Sequence, residues 1–256
     1  MDETTLKVLE DGKGKCHLGY LWAVLDPVHR YPFFFYQTGR NHQRPKKLLE
    51  RFSGALQTDG YAVYETLNAK LPNLFLVNCI AHIRREFFEA KSNDETRANT
   101  APTLIQQLYK VEQEARELQL SAEERGKLRL EKSTGPFSEF KKWCIDEYQK
   151  VLPQSAMGKA IAYALRRIDN MALYLVHGDI EIDNNLVENI IRPVAIGRKN
   201  YPFAGSHEAA QRTSHALHLL HPVQAPSDQP RRMAPEYAQQ DCFTKPSQLP
   251  QLLPPF

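Results

Sequence analysis

The sequence has no C-x-x-C pair. Its four cysteines, Cys16, Cys79, Cys144 and Cys242, are scattered over 256 residues. That argues against a disulfide scaffold or a zinc site of known spacing, and it predicts free thiols in a reducing cytoplasm. The pair Cys79 and His82 has C-x-x-H spacing but lacks a second half-site. No apolar run approaches the roughly 18 residues that a membrane span needs, so no membrane partner is expected. The opening MDETTLKVLEDGKGK is polar and acidic, unlike a secretory signal. GKGK at 12–15 lacks the spacing of a phosphate loop. No sign of charge dominates either: the formal net charge is +3 with 25% charged residues. A nucleic-acid interface must therefore come from local clusters of Lys and Arg.

What is present suffices for a sizeable core, with 42% hydrophobic residues. The first third reads as strands. TLKVL (4–8), YLWAVLD (20–26) and RYPFFFYQT (30–38) are β-branched and aromatic runs separated by turn signals, as in an antiparallel meander. Pro32 in the third run suggests a sheet edge or a strand start. The pattern then alternates: helix at 43–52, short strand GALQTD at 54–59, helix at 60–70, buried strand NLFLVNCI at 73–80, amphipathic helix at 81–91. This order predicts an α/β fold with a mixed sheet flanked by helices. Residues 94–176 read as an all-helical insertion, with Ser121 and Glu124 spaced as a capping box. The segment 177–212 closes the core with a helix and a basic loop. Beyond it, 213–256 reads as a Pro-rich, poorly ordered tail, because eight of the 17 prolines fall in 221–256.

Three acids stand at places where structure could gather them. Asp2 opens the first strand, Asp59 ends GALQTD before Gly60, and Glu188 lies in EIDNNLVENIIRP. Most such acids face solvent. Glu188, however, sits at the margin of the apolar stripe Leu186, Val187, Ile190, Ile191 and Val194. Asp183 or Asn184 is placed to cap this helix, and Pro193 to end or kink it. Carboxylates from two strands and a helix are the ligands that a pair of Mg²⁺ ions uses in phosphodiester chemistry.

The words DETTLKVL, GKGKCHLGYLW, LQTDGYAVY, CIAHIRREFFEA, GKAIAYAL and EIDNNLVENIIRPVAIGRKNYPFAGSHEAAQR occur in that order over residues 1–212. In these the chain resembles the insertion-sequence-66 family of bacterial transposases, in their central catalytic domain. The resemblance implies an RNase H-like fold with an Asp, Asp, Glu triad. Matched word by word, the triad falls on Asp2, Asp59 and Glu188 as catalytic residues and ligands of Mg²⁺ or Mn²⁺ in a two-metal site. It implies DNA strand cleavage and transfer, with the element's ends and target DNA as partners, and a homo-oligomer. Arg192, Arg198 and Lys199 become candidates for DNA-phosphate contacts. His82 and Arg84 lie in a family word without an assigned role.

Two departures qualify the resemblance. Family members carry an upstream DNA-recognition region. Here the first strand would begin at the second residue, so Asp2 is expected to be held by a fraying end. The stretch 214–246 looks foreign to the family, as compensating frameshifts would make it. The expected function is therefore metal-dependent DNA transposition, in the cytoplasm. The alternative is an inactive remnant that binds DNA or an intact transposase.

Overall fold

The computed structural model describes residues 1–10, 14–27, 30–41 and 43–220. The elements run β1 (Asp2–Leu9), β2 (Cys16–Asp26), β3 (Tyr31–Gln37), α1 (Gln43–Leu49), β4 (Gly54–Thr58), α2 (Ala62–Lys70), β5 (Leu74–Asn78), α3 (Ile80–Glu89), α4 (Glu95–Glu117), α5 (Ala122–Lys132), α6 (Thr134–Tyr148), α7 (Ala156–Met171), α8 (Leu173–Val176), α9 (Asn185–Gly197) and α10 (His207–Leu220). The fold is α/β, with helices predominating.

The described residues fall into two compact units. Of the described residues, one holds Met1–Ser53, Ala62–Leu74 and 184–220; the other holds Gly54–Tyr61 and Phe75–Asp183. The sequence reading expects one mixed sheet. The strands instead form an antiparallel sheet of order β1-β2-β3 and a separate pair, β4-β5. Part of the outer edge of β1 is already taken. Ala204 donates its N–H to Lys7 O and accepts from Leu9 N, each at 2.8 Å, forming a parallel bridge opposite Val8. Pro32 lies in β3, an edge strand of the three-stranded sheet.

In the first unit, register and alternation sort the side chains. Asp2 pairs with Ala23, and Ala23 with Phe34. On this face Leu21, Ala23 and Phe34 pack with Val187, Ile191 and Val194 of α9. Farther along, Leu6, Val8 and Tyr36 pack with Ala210 of α10. On the other face Trp22 stacks on Phe35 and meets Tyr64 of α2 edge-on.

The second unit is mainly helical. Its core joins Ile80, Ile83 and Phe87 of α3 to Ala101, Ile105 and Leu108 of α4, Phe137 and Phe140 of α6, and Ile161, Ala164 and Ile168 of α7. The capping box at Ser121 and Glu124 forms as its spacing predicts. Cys16, Cys79 and Cys144 are free thiols. No helix among the described residues is long and apolar enough to cross a membrane.

Three further expectations change. α9 runs through Pro193 to Gly197. Pro193 and Asn189, whose carbonyl loses its helical donor, are both exposed, so water can serve that carbonyl while Val194 holds the helix to the sheet. Asn184 occupies the cap position of α9 without a side-chain cap bond. The boundary at 213 falls inside α10, because the helix continues to Leu220. The rest of the expected Pro-rich tail, 221–256, lies outside the described residues.

Candidate active site

Asp2 stands within the ladder rather than ahead of it, in register with Ala23. Its Oδ1 accepts from the Glu3 N–H at 2.7 Å, and Met1 before it is buried. The expectation of a fraying end therefore gives way to a fixed one, and the anchor is Glu3. This side chain, on the opposite face, is only 2% exposed. Its Oε1 accepts from Arg40 Nε at 2.7 Å and from Arg40 Nη2, and its Oε2 from the Tyr64 hydroxyl at 3.0 Å. A buried carboxylate so bonded ties the first turn of the strand to α2.

Glu188 lies in the first turn of α9, where a carboxylate suits the positive end of the helix dipole. Val187, its neighbour, is buried against the sheet, whereas Glu188 is half-buried. Asp2 and Glu188 thus belong to the same layer of one unit: the acid of β1 lies on the sheet face that the helix of Glu188 covers.

In the other unit, β4 ends at Thr58 and delivers Asp59 to a sharp turn. Thr58 O accepts from Cys79 N at 3.1 Å, so Asp59 and the start of α3 lie side by side at the ends of β4 and β5. Gly60 has φ +90°, and a Cβ there would meet Arg167 Nε. Only glycine satisfies both the left-handed backbone and the close approach. Asp59 Oδ1 accepts from Tyr61 N at 3.0 Å, and the Asp59 carbonyl accepts from the Tyr163 hydroxyl at 2.7 Å. Arg167 Nη2 donates to Gly60 O at 2.7 Å.

The same unit holds further polar groups. The Tyr109 hydroxyl donates to Asp183 Oδ2 at 2.9 Å, and burial, with Asp183 beside it, pushes the phenol well above its ordinary range. Arg84 lies over the Tyr109 ring at 5.5 Å. His82 is half-buried on α3. The Asn78 amide, 2% exposed at the end of β5, has no hydrogen-bond partner for its Nδ2.

The basic residues separate into two kinds. Arg192 and Lys199 are exposed. Arg198 is half-buried, and its Nη1 donates to Thr5 O at 2.8 Å and Thr5 Oγ1 at 2.6 Å. This guanidinium fastens the loop after α9 to β1. Sequence reasoning missed Tyr163 and Arg167. The available signal was a cation at the repeat of an otherwise apolar stripe, Met157, Ala160, Ile161, Ala164, Arg167, Ile168, Met171.

The proposed donors are all carboxylate oxygens, the chemistry that Mg²⁺ and Mn²⁺ accept. Among the described residues no three His, Cys, Asp or Glu side chains are gathered closely enough to hold a metal ion.

These features, in one unit an acid on an edge strand's inner face and a second on the helix that covers it, and in the other unit an acid at a strand-end turn, belong to an α/β protein. The transposase IS66 family matches residues 1–212, and the chain belongs to it. It is 37% identical over 219 residues to the uncharacterized protein y4qI of Sinorhizobium fredii, a match covering 80% of this chain and 40% of that protein. The uncharacterized protein y4jD of the same organism is 31% identical over 82% of this chain and 43% of its own length. A third, y4hP, is 28% identical over 86% of this chain and 43% of its own. The chain therefore spans about two fifths of the length of these relatives. No solved structure matches it.

Proposed function

We propose that this chain is the catalytic portion of an insertion-sequence transposase, with an RNase H-like core interrupted by a helical insertion. In this reading Asp2, Asp59 and Glu188 are its catalytic acids. One observation carries the reading: Asp2 and Glu188, matched independently to family words 186 positions apart in sequence, share one sheet face and its covering helix. Family membership over residues 1–212 supplies the context.

In this reading the three carboxylates would hold Mg²⁺ or Mn²⁺, and ions of that class would supply charge neutralisation at a scissile phosphate and activation of an attacking hydroxyl. The chain's own contribution is placement. Glu3 fixes the strand of Asp2, the buried stripe of α9 fixes Glu188, and the Gly60 turn fixes Asp59. Arg192 and Lys199, both exposed, would meet DNA phosphates. Arg198 retains further N–H groups for the same purpose beyond its bonds to Thr5.

Purified full chain, incubated with Mg²⁺ and DNA carrying the element's ends, tests this. Cleavage that disappears in Asp59→Ala and Glu188→Ala supports the reading. DNA binding with no cleavage under any divalent ion favours the remnant and sinks the enzyme.

A further inference from the structure

Arg167 occupies a position of the α7 stripe that packing alone would fill with an apolar residue. It is 8% exposed. A buried guanidinium is costly unless its donors are satisfied. Two of them reach backbone carbonyls, Gly60 O at 2.7 Å and Tyr163 O at 3.3 Å. The guanidinium also lies over the Tyr163 ring, 3.7 Å from its centroid, an i, i+4 pair on one helix face. Tyr163 in turn donates to Asp59 O. The carbonyls of both turn residues, Asp59 and Gly60, are thus held by one rigid pair on a helix about a hundred residues away in sequence.

We propose that Tyr163 and Arg167 are positioning residues for Asp59: the helical insertion clamps the Asp59-Gly60 turn and so sets the direction of the Asp59 carboxylate. The inference rests on Asp59 being catalytic. It gives the insertion a part in the site rather than a purely structural one.

The test uses the full chain and the variants Tyr163→Phe, Arg167→Met, Arg167→Lys and Asp59→Ala. Without DNA or metal, hydrogen exchange is followed at the Tyr61 amide, which donates to Asp59 Oδ1. Tyr163→Phe and Arg167→Met are expected to speed it about 2- to 10-fold, the loss of one hydrogen bond. With Mg²⁺ and element-end DNA, both are expected to lower kcat while KM for DNA stays near wild type. Arg167→Lys, which keeps a donor for Gly60 O, recovers part of the loss. Tyr163→Phe removes one oxygen atom and leaves the fold in place, so it decides the matter even if Arg167→Met fails to fold. Unchanged Tyr61 exchange and unchanged kcat in Tyr163→Phe, with Asp59→Ala inactive, overturn the clamp and leave the transposase reading standing. Cleavage that survives Asp59→Ala overturns both.

Discussion

Arg129 of α5 grips Glu112 of α4 with two parallel bonds, Nε to Oε1 and Nη2 to Oε2, each 2.7 Å long, and both side chains are buried. The remaining guanidinium nitrogen, Nη1, donates to the carbonyls of Tyr174, His177 and Ile180 at 2.8 to 2.9 Å. One arginine thus ties two helices to α8 and to the segment after it that leads toward Asp183. Its Cζ also lies 5.0 Å from the centre of the Tyr174 ring.

Such a pair is worth most when only one partner is lost. Arg129→Met strands the Glu112 carboxylate in the core and leaves three carbonyls without that donor. We expect a cost of about 3–5 kcal/mol in urea unfolding. Combining it with Glu112→Leu removes the stranded charge, and the double variant should be more stable than Arg129→Met alone. A single variant within about 1 kcal/mol of wild type, the usual worth of an exposed ion pair, would show that the pair is not a structural tie.

His177 gives the helical unit a pH response. Burial lowers its pKa below the ordinary value of 6.5, against a smaller opposite pull from Asp179. The folded chain therefore binds this proton less readily than the unfolded one. Stability from the neutral ring is present above pH 6.5 and is lost as pH falls through the lowered folded value. His177→Gln should flatten that part of the stability–pH curve, measured by denaturant unfolding from pH 7.5 to 4.5. A wild-type curve that overlays the variant's across this window would contradict the assignment.

The basic residues of α9 and of the loop after it should divide by role. Lys199→Ala and Arg192→Ala each remove an exposed cation, and each should reduce the salt slope of DNA binding by about 0.9 while leaving the melting temperature unchanged. Arg198→Ala should in addition lower stability by roughly 1–3 kcal/mol, because its bonds to Thr5 are lost. Equal effects of all three on the salt slope, with no effect on stability, would mean that Arg198 is simply another surface cation.

Much of this arrangement is readable in the sequence, for definite reasons. Aromatic and β-branched runs such as YLWAVLD mark β2 because alternation and burial coincide there. Ser121 and Glu124 mark the start of α5 because a capping box is a local structure. The stripe of α9 puts Glu188 at a core margin before any fold is known. What is not legible depends on distant partners. Pro193 signals an end or a kink in α9; the helix does not end there, and Val194 beyond it is buried against the sheet. The start of β1 reads as loose until Tyr64 and Arg40 are seen to hold Glu3. Nothing near GALQTDG announces Tyr163 and Arg167, which reach the turn from α7. The bridge between Ala204 and β1 is equally hidden, because the two stretches lie far apart in the sequence.

Strand transfer tests the central claim most directly, since it separates a transposase from a general nuclease. The measurement is the joining of a pre-cleaved element end to a supercoiled target plasmid by the full chain in Mg²⁺. The account predicts joined products with the wild-type chain and none with Asp2→Asn, Asp59→Ala or Glu188→Ala, each variant folded by its melting curve. Joining that persists in the Asp59 and Glu188 variants, or plasmid degradation without joined ends, would contradict it.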